Sequence, residues 1–251
     1  MFKGYGAKIL DGVPNYFVIE DIGQVSSIHH FEKLLQDIDE YVKMKDIQSV
    51  KIVLNEKEAS NNDYLHLLCD YDFLKQDIQF FYKRDLDSLK TTEQETSIEI
   101  KSIGQTTTDL FKKMWQEVVM GSLNAPSSLS IEMEFEGMKT ELGSDYMKNC
   151  LIAYHDNDPI GITIPHIEPG TIEEGRLFYF GLIPEYRGNN WGITLHKRSL
   201  QYLKSIGATY YIGATGHRNI PMKRIFQVNG CRMFEKKTIY RLKRPHTIKT
   251  S

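Results

Sequence analysis

The residue types that could do chemistry in this chain gather in one run, Gly181-Leu182-Ile183-Pro184-Glu185-Tyr186-Arg187-Gly188-Asn189-Asn190-Trp191-Gly192-Ile193. An apolar, aromatic stretch stops at Pro184, a loop with Gly and Asn follows, and helical periodicity begins near Ile193. A strand-to-helix junction of this kind aims several main-chain N–H groups and the positive end of a helix at one point, which makes an anion site. Gly188 and Gly192 let the backbone approach a bulky phosphate, and Asn189 and Asn190 tolerate the dihedrals that a nest of amides requires. Arg187 adds a fixed positive charge. The loop is too short for a nucleotide P-loop and lacks its Lys-Ser/Thr, and it is not the dinucleotide pattern GxGxxG. A diphosphate held by amides without a metal suits coenzyme A. The plainer alternative is a strand-to-helix loop with structural glycines.

Other chemistry is thinly represented. His29 and His30 are adjacent rather than four apart on a helix, so no metal site is expected. Cys69, Cys150 and Cys231 are odd in number, widely spaced and free of any Cys-x-x-Cys pattern, which predicts reduced, buried thiols and a cytoplasmic protein. Lys plus Arg number 31 against 33 Asp plus Glu, a formal charge of -2, and no field of one sign favours nucleic acid or an anionic membrane. The basic residues Lys243, Arg244 and Lys249 are too few to alter that. No apolar run has the length of a signal peptide or a membrane span.

The elements that must position the loop follow from periodicity. Strands are predicted at Tyr16–Ile19, Val50–Leu54, Gln79–Arg84, Asn149–Tyr154, Ile160–Ile167, Arg176–Ile183, Thr209–Gly213 and Lys237–Leu242. Helices are predicted at Ser27–Met44, where Ile28, Phe31, Leu34, Leu35, Ile38, Tyr41 and Val42 share one face, and at Tyr64–Asp70, Thr106–Val119, Leu129–Met138, Ile193–Lys204 and Pro221–Asn229. Asp156-Asn157-Asp158-Pro159 reads as a hairpin turn, and Pro165 calls for an edge, a bulge or an early end of its strand. A mixed α/β (α+β) protein results, with a polar linker at 91–97 between a region 1–90 and a region 98–245, and a tail at 246–251.

An internal similarity links the two regions. At an offset of 158, Asn61 falls on Asn219, Phe73 on Cys231 and Tyr82 on Tyr240. The same offset sets Ile52-Val53-Leu54 on Tyr210-Tyr211-Ile212 and Leu67-Leu68 on Ile225-Phe226. Either the first 90 residues are a partial copy of the later architecture, or two common strand-helix-strand units coincide.

The run Leu182 to Gly192 resembles the pyrophosphate-binding motif of the GNAT superfamily of acyl-CoA N-acyltransferases, Arg/Gln-x-x-Gly-x-Gly/Ala after a strand ending in Pro-x-x. Arg187 and Gly192 match it, Gly188 matches the common Arg-Gly start, and Asn190 stands at the middle glycine. Asn219 through Gly230-Cys231 is similar to the family's second signature, with Cys231 where Phe is usual. The resemblance implies a GNAT-like fold over roughly Ile98 to Arg244: a mixed, mostly antiparallel sheet flanked by helices, with its fourth and fifth strands splayed. It implies acetyl-CoA as cosubstrate, without metal, and transfer of an acetyl group to a primary amine of a small molecule or peptide. Leu182, Ile183, Arg187, Gly188, Asn189, Asn190, Trp191, Gly192, Ile193 and Asn219 would then hold the cofactor. Asn219 could equally be a helix cap, and Trp191 could cover the cofactor or pack on its helix. Phe226 occupies the position of the tyrosine that many relatives use as an acid, so proton handling passes to Glu174 and Tyr179, each of which could instead be structural. The ring cluster Phe178, Tyr179 and Phe180 could line an acceptor pocket or fill the core. A CoA-sensing or docking module without turnover is the alternative function, and the N-terminal part could serve as a dimerisation element. Gly192→Glu is expected to abolish CoA binding while sparing the fold.

Overall fold

The computed structural model describes residues 2, 4–45, 47–89, 98–123 and 129–243. The elements in chain order are strands β1 (Lys8–Gly12) and β2 (Tyr16–Glu20), helix α1 (Ile28–Lys45), β3 (Val50–Asn55), α2 (Glu56–Ala59), α3 (Asn62–Asp70) and β4 (Phe73–Asp85). There follow β5 (Glu99–Ser102), α4 (Thr108–Val119), α5 (Ile131–Leu142), α6 (Tyr146–Asn149), β6 (Leu151–His155), β7 (Asp158–Ile167) and β8 (Glu174–Leu182). The chain ends through α7 (Trp191–Ser205), β9 (Tyr210–Gly216), α8 (Ile220–Val228) and β10 (Arg232–Leu242). The expected linker 91–97 and tail 246–251 lie outside the described residues.

The chain divides into two compact units, Met1–Phe80 with Glu235–Ser251, and Phe81–Phe234. The first unit thus takes in most of the last strand, which sequence reading had assigned to the later region. Within it, β1 pairs antiparallel with β2, β2 parallel with β3 from Phe17↔Val50 to Ile19↔Ile52, and β3 antiparallel with β10 from Asn55↔Lys237 to Lys51↔Arg241. The apolar stripe of α1 supplies Phe31, Leu34, Leu35 and Ile38 to a core shared with Phe17, Ile19, Ile52, Leu54 and Leu68. Each side chain so buried contributes about 2 kcal/mol.

In the second unit the described pairs run β9-β8-β7-β6-β5, antiparallel except for β8 with β9. Asp156 (φ 50) and Asn157 (φ 69) form the two-residue turn between β6 and β7, with His155 opposite Asp158. Both central residues are left-handed, as a type I′ hairpin requires, and Asp and Asn accept that conformation. One face of the sheet packs Ile152, Ile162 and Ile164 against Phe111, Trp115 and Val118 of α4 and Phe135 and Met138 of α5. The other carries α7, through Leu195 on Ile160 and Leu182, and a buried hydrogen bond in which the Ser199 hydroxyl donates to Thr163 Oγ1 at 2.8 Å.

The repeat is legible in the elements. Helices α3 and α8 each hold 9 residues, start 158 positions apart, and are capped by Asn61 and Asn219, whose side chains accept from the N–H of Asp63 and Met222. Leu68 and Phe226, and Tyr82 and Tyr240, are buried at matching positions. The first unit therefore carries a partial copy of the strand-helix-strand pattern. Of the three thiols expected to be buried, Cys69 is exposed, on the outer face of α3. Burial pushes the thiols of Cys150 and Cys231 up to about 12. Replacing Asn61 or Asn219 by Ala removes a capping acceptor, and each variant is expected to lose about 1 kcal/mol. Urea unfolding midpoints at unchanged slope would check this, and a wild-type midpoint in either variant would deny the cap its role.

Candidate functional site

The site grows out of two features of β8. The first is its neighbour: β8 and β9 pair through Glu174↔Tyr210 and Gly175↔Tyr211, at the start of both strands, and β8 then continues to Leu182 with no further pair to β9 among the described residues. Glu174 pins that base, accepting from Arg176 Nε at 2.6 Å on one carboxyl oxygen and from the Tyr210 hydroxyl at 3.1 Å on the other.

The second feature is a bulge. Pairing with β7 passes from Thr163↔Phe180 to Pro165↔Leu177, so Phe178 and Tyr179 together oppose Ile164. The irregularity expected at Pro165 is present, with its extra residue in β8. Successive side chains of a regular strand alternate faces. Phe178 and Tyr179 instead both lie against Trp115, at ring separations of 6.2 and 5.5 Å, while Phe180 turns to the other face and meets His196 at 5.7 Å. Beyond the bulge the Ile183 N–H donates to the Ile160 carbonyl at 3.0 Å. Alternation then directs the backbone groups of Leu182 and Phe180 away from β7.

The loop after β8 is shaped by Arg187. Its guanidinium donates to the carbonyls of Leu182 (3.0 Å), Val118 (2.9 Å), Met120 (2.9 Å) and Gly121 (3.2 Å). Its positive charge, expected at the anion, is spent on the exposed carbonyls ending α4. Gly188 (φ 86) and Asn190 (φ 63) are left-handed. The N–H groups of Ile193 and Thr194 bond to the Asn190 carbonyl, so Ile193 is not a free donor. The N–H groups of Gly188, Asn189, Asn190, Trp191 and Gly192 have no partner among the described residues. Asn190 offers α7 no side-chain cap. This is the donor set that a diphosphate would satisfy.

Two loop residues have packing partners of their own. A Cβ on Gly192 would come 2.9 Å from Ile225 Cδ1, so this glycine also serves the packing of α7 on α8, and Gly192→Glu would press on Ile225 as well as on any ligand. Trp191 stacks on His155 at a ring separation of 4.1 Å.

Sequence reading missed a set of polar atoms buried in this unit without hydrogen-bond partners: Trp115 Nε1, both ring nitrogens of His166, His196 Nε2 and Thr215 Oγ1. His166 lies on the bulge face, edge-on to Phe178, with Glu168 Oε2 3.5 Å from its Nε2. His196 is enclosed by Phe180, Tyr211 and Phe226, and this burial, with Arg84 nearby, lowers its pKa to about 3. No local sequence pattern marks these residues. Among the described residues no group of His, Cys, Asp or Glu could hold a metal ion, and no helix is long and apolar enough to cross a membrane.

No family model matches the sequence, and no curated protein matches it. Solved structures do. A GCN5-related N-acetyltransferase from Sphaerobacter thermophilus superposes with a TM-score of 0.68 at 14% identity, covering 94% of this chain and 75% of that one. This chain has the GNAT fold. A tandem GNAT protein from the clavulanic acid biosynthesis pathway matches with a TM-score of 0.60 at 15% identity, covering 94% of this chain and 77% of that one. A conserved protein of unknown function from Staphylococcus epidermidis gives 0.65 at 11% identity, over 92% and 85%. The coverage includes the first unit, so the GNAT likeness extends beyond the loop-bearing region.

The geometry separates two roles for Arg187. As a clamp on α4 it holds the fold, so Arg187→Ala is expected to cost about 2 kcal/mol of stability, and Arg187→Lys, which lacks the planar fork, should not restore it. Denaturant titration reads the result. A variant that kept full stability but lost affinity for acetyl-CoA would return Arg187 to the anion.

Proposed function

We propose that the protein is an N-acyltransferase that moves an acetyl group from acetyl-CoA to a primary amine of a small molecule or peptide. The observation that carries the proposal is the row of unpaired N–H groups from Gly188 to Gly192 at the start of α7, beside a strand that leaves its neighbour. Those amides would hold the diphosphate, with the positive end of α7 behind them. Leu182 and Ile183 bring the backbone to the splay, where the outward N–H groups of β8 would bond the pantetheine arm. Asn219 keeps its cap bond and closes the start of α8 beside β9.

An N–H aimed at the thioester oxygen as it becomes an oxyanion is worth about 3 kcal/mol, by comparison with other oxyanion holes. The acceptor must arrive at, or be brought to, its neutral form before it attacks. Glu174 has both carboxyl oxygens engaged, which suits it to fixing the base of the splay. Tyr179 stands at the bulge, and His166 shares its face. We assign proton handling to these two, Tyr179 toward the departing thiolate and His166 toward the amine.

A CoA-binding module without turnover is the second reading, and one observation favours it. Phe226, where many relatives carry a tyrosine, is sealed among Tyr82, Tyr211 and His196 and has no hydroxyl to give. Both readings predict stabilisation by acetyl-CoA, about 2.7 kcal/mol at a hundredfold excess over the dissociation constant. Release of free thiol with a member of an amine panel is expected of the enzyme alone, and silence across the panel with binding intact would select the module. Asn189→Glu places a negative charge at an exposed loop position near the start of α7. It should leave melting unchanged or raise it slightly, while weakening acetyl-CoA at least about tenfold. Undiminished binding in that variant would remove the diphosphate from this loop. Tyr179→Phe and His166→Gln are each expected to lower kcat about a hundredfold with acetyl-CoA affinity retained. Wild-type kcat in both would leave proton handling to other groups.

A further inference from the structure

Farther along α7, Gln201 and Tyr202 lie three and four residues after Arg198, on the same side of the helix. This side looks onto the edge of the sheet in its own unit, where Ile100 of β5, Leu151 of β6 and Lys148 of α6 join it in lining an open recess of about 450 Å³. That volume falls among small-ligand pockets, roughly 300–1,000 Å³. The walls are fixed: the Tyr202 hydroxyl donates to the Lys148 carbonyl at 3.0 Å, with Asn149 Oδ1 at 3.2 Å, tying α6 to α7. Burial, and then the charge of Asp145, raise the Tyr202 phenol, which stays a neutral donor.

The charge in this cavity lacks a counterpart. Arg198 and Lys148 both line the recess, and neither side chain has a hydrogen-bond or ion-pair partner among the described residues. Gln201 adds a side chain whose Oε1 is buried without a partner. Two cationic residues without partners at one recess suit an anion, and the planar fork of an arginine fits an oxyanion with two parallel bonds. Ile100 and Leu151 give the cavity an apolar floor. Arg198 lies seven residues along α7 from Trp191, about 10 Å down the helix axis, so the recess is separate from the loop at its start.

We propose that this cavity is a second binding site, for a small molecule carrying a phosphate or carboxylate group, with Arg198 and Lys148 on the oxyanion and Ile100 and Leu151 against a short apolar portion. The proposal does not rest on the acyltransfer reading. The test is titration of the full-length, isotope-labelled protein with inorganic phosphate and, separately, with succinate, each against sodium chloride at equal ionic strength. Saturable shifts of the amide signals of Arg198, Gln201 and Leu151 are expected, unaffected by prior saturation with acetyl-CoA. Saturation by phosphate alone names a phosphate ligand, and saturation by succinate alone a carboxylate. Arg198→Gln should weaken the interaction at least about tenfold. Lys148→Gln, at an exposed position, should weaken it also and serves if the first variant fails to fold. Shifts that match those from chloride, that disappear with acetyl-CoA bound, or that persist undiminished in the folded variants would overturn the site.

Discussion

The fan of hydrogen bonds from Arg187 is the constraint on which the candidate site depends. A helix leaves its last carbonyls without partners, and they carry the negative end of the helix dipole. Here Val118, Met120 and Gly121 present such carbonyls at the end of α4, and the guanidinium answers all three while reaching back to Leu182 at the end of β8. One side chain thus fastens the last residue of β8 to α4 on one side and to the loop on the other. With the loop held from below, Gly188 and Asn190 keep their left-handed turns, and the N–H groups between them and Gly192 remain open. A charged group that seemed destined for a ligand builds the cradle instead, and the ligand charge is left to the amides.

The same economy governs β8. Its bulge places two aromatic rings on Trp115 and sends Phe180 to the opposite face, so a short length of strand supplies walls on both sides of the sheet. The strand must also part from β9, yet a sheet that opens at one end needs a firm closure at the other. Glu174 provides it with Arg176 from its own strand and Tyr210 from β9. Had this acid been free to accept protons from a substrate, the base of the splay would have lost its tie. Its structural employment is why attention passes to the bulge face, where His166 and Trp115 hold polar atoms without partners. Buried polar groups in folded proteins nearly always find partners, so such a cluster marks ground that the chain has not filled for its own stability.

What the sequence made legible follows the strength of local rules. The Asp156-Asn157 turn, the amphipathic stripe of α1 and the loop after Pro184 each rest on chemistry within a few residues and could be read directly, while the cap at Asn219 stood as one of two alternatives. Strands β1 and β5 are not legible in the sequence because Lys8–Gly12 and Glu99–Ser102 are short edge strands without regular alternation, and the start of β4 is hidden because Lys75-Gln76-Asp77 interrupts its apolar residues. Register and contact partners were beyond local rules. Nothing within ten residues of Arg187 says that its guanidinium meets Val118, and nothing near Gly192 names Ile225 as the side chain that a Cβ there would meet. The loop was visible; the division of labour inside it was not.

The partial repeat sharpens this point, because the first unit contains a junction built like the second and closed against the same use. Strand β2 pairs parallel with β3 and is joined to it through α1, as β8 pairs parallel with β9 and is joined through α7. In the first unit the residues between strand and helix are Asp21 to Ser27. There Ile22 and Val25 are buried in the core, Ser27 caps α1 by accepting from the His30 N–H at 3.2 Å, and a Cβ on Gly23 would lie 2.9 Å from the carboxyl oxygen of buried Glu58. Each feature works against an anion site: apolar side chains occupy space, a hydroxyl takes one N–H of the first turn, and an acid stands close by, where a phosphate would bring like charge. The second unit replaces them with glycine and asparagine that leave space, an Asn190 that does not cap, and a cation turned away to hold the loop open. The two junctions share an architecture, and the side chains around the start of each helix differ: buried apolar residues and an acid in the first, glycine and asparagine in the second.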